Sequence, residues 1–130
     1  MQAFIDAVYA DDHEAIGALL ADNVTFTSPV AFKPYPGKAI TAAILRGVTR
    51  VFEDLRYVRT ISSPDGRDHA LVFETKVNGK QISGCDFLHL DEDGRIDDFM
   101  VMVRPLSGAQ TLSEAMAAQF PQIAAEAAAG

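Results

Sequence analysis

Hydrophobic and polar residues alternate with different periods in the two halves of the chain. In the first half, apolar residues recur three and four positions apart, which is typical of helices with one buried face. This spacing predicts a helix around Phe4–Val8, a second helix that is N-capped by Asp11 and ends at Asp22-Asn23, and a third over about 38–52. A short strand is predicted between the last two helices, over Val24–Thr27.

The second half changes to the two-residue period of β-strands and is interrupted by turns. Tight-turn dipeptides occur at Asp65-Gly66, Asn78-Gly79 and Asp93-Gly94. Such dipeptides supply the positive φ angles of hairpin turns. They predict an antiparallel meander of four strands, near 55–63, 68–77, 80–90 and 95–104. A terminal helix is predicted from about Thr111, and Pro121 is expected to break or kink it.

The order of these elements, helices first and then a long meander, indicates an α+β fold. A parallel βαβ plan is not expected, because no helix separates the later strands. The 130 residues fit a single domain, so residues 1–130 are interpreted as one unit.

The Asn78-Gly79 turn predicts which residues of the central hairpin share a face. A two-residue loop places Leu71 opposite Asp86, on the more apolar face, which is expected to pack against the helices. A carboxylate in the middle of that face is costly unless it is hydrogen-bonded, paired or protonated. His69 is a diagonal neighbour on the same face and a candidate partner for this acid.

The opposite face of the hairpin also has an apolar centre, formed by Val72, Cys85 and Phe87. A sheet with one face on a core should not expose a second apolar patch unless something covers it. We therefore expect a homodimer through this outer face. Cys85 is the only cysteine, which excludes a disulfide within the chain.

Composition excludes several classes of partner. The net charge is −7 and the basic residues form no run, which disfavours nucleic acids and anionic membrane surfaces. No apolar run approaches the ~20 residues of a membrane helix.

The first residues lack the basic start of a signal peptide, so the cytoplasm is the expected compartment. The histidines are scattered and no cofactor motif occurs, so neither a metal nor a cofactor is expected.

Three segments carry a family resemblance. They are Ala15–Phe26 with Ser28-Pro29-Val30 and Pro36-Gly37, then Gly84–Ile96, and finally Met100–Leu106. Together they resemble the ketosteroid isomerase and SnoaL-like members of the NTF2-like superfamily, over roughly Phe4 to Leu106. The resemblance implies a cone-shaped fold, in which a curved antiparallel sheet wraps around helices. It also implies a mostly apolar pocket for a small hydrophobic molecule.

Only one polar position of ketosteroid isomerase is matched when its site is transferred residue by residue. The catalytic base falls on Ser28, the oxyanion tyrosine on Phe4 and a supporting tyrosine on Leu45, whereas the neutral aspartic acid is matched by Asp86. Steroid isomerisation is therefore not expected, unless Asp86, His69 or an acid of the last strand serves as the base.

Asp86 is the leading candidate for catalysis, and the alternative is a buried acid with a role in packing. His69 and Asp98 are weaker candidates. The loop before the last strand leaves open whether Asp97 or Asp98 faces inward, with Asp98 preferred. The expected pocket lining consists of Phe4, Ser28, Leu45, Leu71, Phe73 and Leu88, and the candidate phenols are Tyr9, Tyr35 and Tyr57.

Three functions remain open. The first is a cofactor-independent enzyme of the isomerase, cyclase, dehydratase or hydrolase type that acts on a small hydrophobic molecule through Asp86. The second is a module that binds such a molecule without catalysis. The third is a dimerisation domain whose cavity is filled by side chains such as Phe4 and Leu45.

Overall fold

The structure is a computed structural model that describes all 130 residues. Its helices are α1 (Gln2–Tyr9), α2 (His13–Ala18), α3 (Lys38–Val51) and α4 (Leu106–Ala129). Its strands are β1 (Leu20–Thr27), β2 (Tyr35–Pro36), β3 (Glu53–Ser62), β4 (Asp68–Val77), β5 (Lys80–Leu90) and β6 (Ile96–Arg104). The four strands of the meander and helix α3 confirm the α+β prediction, whereas β1 begins where the second helix was expected to continue.

All six strands form one curved, unclosed sheet in the order β2-β1-β6-β5-β4-β3. The register of β4 and β5 confirms the expected two-residue loop, with Leu71 opposite Asp86. Asn78 and Gly79 have φ angles of 49° and 77°, as a tight hairpin turn requires. β1 pairs with β6 in parallel, and the local pattern did not predict this pairing because its partners are far apart in the chain.

One face of the sheet curves around the helices and forms the core with them. Apolar residues from β4, β5 and β6 meet residues from α1, α3 and α4. Representative buried members are Phe4, Ile44, Leu71, Leu88, Phe99 and Ile123. Complete burial of one such side chain contributes about 1.5–3 kcal/mol, so this layer stabilises the packing of the helices on the sheet.

Helix α4 packs closely along α3 because a glycine opens the contact. A Cβ built on Gly47 would lie only 2.6 Å from Cδ1 of Ile123. Arg46 and Arg50 of α3 also contact Glu126 of α4, at N···O distances of 3.2 Å and 2.8 Å. None of the four helices combines the length and the apolar character that crossing a bilayer requires.

The ends of two helices differ from the sequence prediction. The N-cap of α2 is Asp12, whose carboxylate accepts a backbone N–H three residues later, whereas Asp11 takes a φ of 54° in the preceding turn. Helix α4 begins at Leu106, earlier than predicted, and continues through Pro121. A proline removes a helical hydrogen bond, yet the helix continues, and Ile123 two residues later is fully buried against Gly47 of α3.

Candidate functional site

A cavity of about 230 Å³ lies between the inner face of the sheet and helices α1, α3 and α4. Its walls are mostly apolar, and Asp86 is the only charged residue among them. Because an apolar cavity of about 150 Å³ is large enough to hold benzene, this one has room for a small ring-shaped molecule. The other polar residues of the wall are Ser28, Tyr35, Thr49, Tyr57 and Ser113.

Asp86 lies on the inner face of β5, between Leu71 of β4 and Val101 of β6. Only 7% of the residue is exposed. Burial disfavours the charged carboxylate and raises the pKa of Asp86 from 3.8 to about 7, although the hydrogen bond from Tyr57 opposes this rise. Near neutral pH both protonation states of the carboxyl are therefore populated, which is what giving and taking a proton requires.

Tyr57 supplies the side-chain hydrogen bond to Asp86. Its phenol donates to Oδ2 of Asp86 at 3.0 Å. Burial and the nearby negative charge of Asp86 raise the pKa of Tyr57, so the phenol keeps its proton and remains the donor. The other carboxyl oxygen, Oδ1, bonds no protein side chain and is not completely enclosed. Oδ2 is therefore fixed by Tyr57, and Oδ1 is available to hydrogen-bond a ligand.

Irregularities in β3 aim Tyr57 into the cavity. The register between β3 and β4 shifts once before Arg56 and again between Tyr57 and Arg59. Tyr57 lies opposite Phe73 on the inner face, whereas Arg59 lies opposite Val72 on the outer face. Strict alternation without the second shift would turn Arg59 inward together with Tyr57. The extra β3 residue at this shift therefore lets the Tyr57 phenol face the cavity while the Arg59 guanidinium stays on the outer face.

Gly84 makes room for the aromatic ring beside Tyr57. Phe73 pairs with Gly84 across the strands, and a Cβ built on this glycine would lie 2.4 Å from Cζ of Phe73. The Phe73 ring occupies that space and contacts the Tyr57 ring edge to face, with 6.3 Å between the centroids. Such edge-to-face pairs are favourable, so the absence of a side chain at residue 84 helps to support Tyr57.

Four of the six predicted lining residues border the cavity together with Asp86, namely Phe4, Ser28, Leu45 and Phe73. Leu71 and Leu88 do not border it and belong to the buried core. The cavity is therefore not filled by Phe4 and Leu45, which form part of its wall.

The Ser28 hydroxyl shapes the loop at the edge of the cavity. Its oxygen accepts the backbone N–H groups of Val30 and Ala31 at 3.1 Å and 3.2 Å. Residues with this pattern stabilise turns. The Ser28 hydroxyl therefore has a structural role in this turn.

His69 does not pair with Asp86, although it lies on the same face. Its Nδ1 is 2.7 Å from the Ser62 hydroxyl, and its Nε2 is 2.9 Å from the backbone oxygen of Gly66. Both ring nitrogens therefore have hydrogen-bond partners next to the turn that joins β3 and β4. The alternation of β4 predicts the face of His69 correctly, whereas these local partners leave no signal in the alternation.

The preference for Asp98 as an inward acid was wrong. Asp98 is exposed and lies opposite His89, on the outer face. The β5–β6 register shifts next to His89, so that Ile96 and Phe99 both face the core. Asp97 instead bonds His89 at 2.6 Å. Neither acid of this pair borders the cavity.

The link between Tyr57 and Asp86 is the feature that sequence analysis missed. Tyr57 was one of three candidate phenols, and nothing in the local pattern distinguished it from Tyr9 and Tyr35. The register shifts that turn it inward leave no clear sequence signal, although Asp54, at the first of them, has a φ of 54°. Helix α4 also contributes Leu112, Met116 and Phe120 to the cavity wall, and these residues were not among the predicted lining.

Comparison with known proteins relates the chain to one family and to several solved structures. The SnoaL-like domain model matches residues 1–99. A steroid delta-isomerase from Pseudomonas aeruginosa is 39% identical, with a TM-score of 0.88, over 94% of this chain and 89% of that one. An uncharacterised bacterial protein with a cystatin-like fold, from Silicibacter pomeroyi, is 36% identical, with a TM-score of 0.86, over 91% and 82%.

The fold extends to more distant proteins. The epoxide hydrolase/cyclase-like enzyme SalBIII, which has a role in salinomycin pyran ring formation, is 18% identical with a TM-score of 0.66. The match covers 81% of this chain and 87% of SalBIII, and at this identity it shows a shared fold. None of the curated proteins matches the chain.

Proposed function

The chain belongs to the SnoaL-like family, and from this premise we propose that it is a cofactor-independent enzyme of the isomerase or cyclase type. It binds a small, mostly apolar molecule in the cavity and moves a proton through Asp86. The similarity to a steroid delta-isomerase supports a reaction in which a proton is relocated within an apolar substrate.

The observation that carries this proposal is a single buried carboxyl with one free oxygen. Tyr57 holds Oδ2 of Asp86 at 3.0 Å, while Oδ1 has no protein side-chain partner. Structural acids in a core normally have all of their oxygens bonded. An acid that faces an apolar cavity, with a pKa near the working pH, is instead suited to general acid–base catalysis.

One carboxyl also limits the type of reaction. No second acid or base borders the cavity, apart from the phenols of Tyr35 and Tyr57. The cavity therefore lacks the pair of groups that a reaction with a separate acid and base requires. A reaction in which one group removes a proton and returns it elsewhere on the same molecule is well served, because Asp86 then ends in its starting state.

A binding module without catalysis is the second candidate. It is favoured by Ser28 and Phe4, onto which the family resemblance transfers the base and the oxyanion tyrosine of ketosteroid isomerase, because neither side chain suits that role. The same cavity would then hold an apolar molecule, and the free oxygen of Asp86 would supply one hydrogen bond to it.

Tyr57→Phe tests the pair directly through the pH dependence of proton exchange. The assay measures deuterium uptake from D₂O by a panel of uncharged cyclic ketones, using mass spectrometry. The Tyr57 hydrogen bond lowers the pKa of Asp86. Because a bond to a charged group contributes about 1.5–3 kcal/mol, its loss should move the pH midpoint of uptake upward by roughly 1–2 units.

Tyr35→Phe is the matched control, since this phenol borders the cavity but does not bond Asp86. It should leave the pH midpoint at the wild-type value. An unmoved midpoint in Tyr57→Phe would contradict a role for the pair in proton transfer.

We also propose that a second copy of the chain covers the outer face of the sheet. The outer patch consists of Ile61, Val72, Cys85, Phe87, Met100 and Met102. Ile61, Phe87 and Met102 are 51%, 37% and 53% exposed. Oppositely charged pairs flank the patch on the same face, Arg56 with Glu74 and His89 with Asp97. A two-fold partner would place apolar residues on apolar residues, with both signs of charge at its edge.

Phe87→Asp should separate the two copies, because it puts a charge in the middle of the apolar contact. Light scattering should then report the 14.0 kDa of one chain rather than twice that mass. Phe32→Asp is the control, since Phe32 is 97% exposed and lies on a loop outside the sheet. A wild-type protein that already has the mass of one chain would refute the dimer.

A further inference from the structure

Tyr57 lies on the edge strand of the sheet. β3 pairs only with β4, so the backbone groups on its other side have no neighbouring strand. Unpaired edge groups normally turn to solvent. The N–H of Tyr57 instead donates to the phenol oxygen of Tyr9 at 2.8 Å. A side chain from α1 therefore replaces a missing strand at the one residue whose side chain bonds Asp86.

The contact between the two tyrosines includes their rings. The ring centroids of Tyr9 and Tyr57 are 5.8 Å apart, with the planes tilted by 60°. Tyr9 is the last residue of α1, it is 54% exposed, and it does not border the cavity. Its position thus gives it contact with Tyr57 on one side and with solvent on the other.

The neighbouring ladder holds Tyr57 less firmly than a regular strand would. Register shifts occur on both sides of this residue, before Arg56 and before Arg59. Such irregularities locally interrupt the ladder of backbone hydrogen bonds. An additional bond to the backbone at this point therefore has a large effect on where the phenol lies.

We propose that Tyr9 is a positioning residue, which fixes the backbone of Tyr57 so that the phenol reaches Oδ2 of Asp86. The inference rests on the proposed function, because it assigns a further residue to the same acid–base site. The chain of contacts runs from α1 through Tyr9 and Tyr57 to Asp86, over 2.8 Å and 3.0 Å. Tyr9 acts through Tyr57 and does not touch the ligand.

Tyr9→Phe tests this role, because it keeps the ring and removes the acceptor oxygen. The readout is the pKa of Asp86, from an NMR titration of its carboxyl carbon, in Tyr9→Phe and Tyr57→Phe. Tyr57→Phe should raise this pKa by roughly 1–2 units. Tyr9→Phe should raise it by a smaller amount, roughly 0.5–1 unit, because the Tyr57 bond is weakened rather than removed.

Ser62→Ala is the matched control. It removes a different side-chain hydrogen bond from β3, the 2.7 Å contact with His69, and neither residue borders the cavity. It should leave the pKa of Asp86 unchanged, even where it lowers the melting temperature as much as Tyr9→Phe does. Because Tyr9 is half exposed, the Tyr9→Phe protein is expected to fold, and circular dichroism checks this.

The outcomes separate the two proposals. An Asp86 pKa that rises in Tyr57→Phe but not in Tyr9→Phe overturns the positioning role and leaves the proposed function standing. A pKa that rises in neither variant shows that the pair itself is not formed and overturns the positioning role, whereas proton transfer by Asp86 is tested separately through Asp86→Asn. A rise in Tyr9→Phe that Ser62→Ala reproduces shows a general loosening of β3 and also overturns the positioning role.

Discussion

Asp86→Asn is expected to reduce deuterium uptake by a bound ketone about 10²–10⁴-fold, the usual contribution of a general acid or base. Asparagine has nearly the same shape as aspartate, and its amide oxygen also accepts a hydrogen bond from Tyr57. The amide does not exchange a proton near neutral pH. Removal of the acid without a change of shape therefore isolates proton transfer from packing and from ligand binding.

Asp98→Asn is the control for this experiment. Asp98 is an exposed acid on the neighbouring strand and does not border the cavity, so its loss should leave the rate unchanged. Calorimetry with the same ketones measures binding separately. An Asp86→Asn protein that exchanges as fast as the wild type would refute the enzyme, and retained affinity in that case would support the binding module.

The second large effect concerns stability and its dependence on pH. The pKa of Asp86 rises from 3.8 to about 7 on folding, because burial disfavours the carboxylate. The folded state therefore binds the proton more tightly than the unfolded state does. Stability must fall as the pH rises from about 4 to about 7, and the loss levels off above that. A pKa difference of this size corresponds to a loss on the order of 4 kcal/mol.

Urea unfolding at pH 4, 5.5 and 8, in wild type and Asp86→Asn, measures this loss. The free energy of unfolding of Asp86→Asn should exceed that of the wild type by an amount that grows with pH. Subtracting the two curves removes the contribution of exposed acids such as Asp65 and Glu126, whose pKa values are lowered and which act in the opposite direction. Parallel curves for the two proteins would show that Asp86 is not buried as described.

These two expectations belong together. The substitution that removes activity should also stabilise the protein at neutral pH. A buried acid that serves function lowers the folding stability of the protein, and functional sites commonly show this trade-off between activity and stability. An acid with only a packing role would have no reason to carry this cost.

The four strands of the meander and the direction of Asp86 were predictable from short-range chemistry. The Asn78-Gly79 dipeptide determines a two-residue loop, and that loop determines every cross-strand pair of the hairpin, including Leu71 with Asp86. Helix α3 was equally accessible, because its apolar stripe faces one side throughout. Patterns of this kind depend on residues that are close in the chain.

The rest of the site depends on contacts that leave no such pattern. The Asp91–Gly94 loop does not determine the β5–β6 register, so the positions of Asp97 and Asp98 were open. The shift beside Tyr57 reverses the face of every later residue of β3. The bond from Tyr9 joins residues 48 positions apart. None of these could be derived from periodicity alone.

The parallel pairing of β1 with β6 has a consequence for biosynthesis. Leu20 pairs with Ile96, and Phe26 pairs with Phe99, so the first long strand cannot complete its ladder until the last strand has been made. Pairings of such large sequence separation form slowly. A nascent chain on the ribosome therefore carries the apolar faces of α1 and β1 without their final cover until β6 emerges. At that stage the chain is most exposed to aggregation and to chaperones.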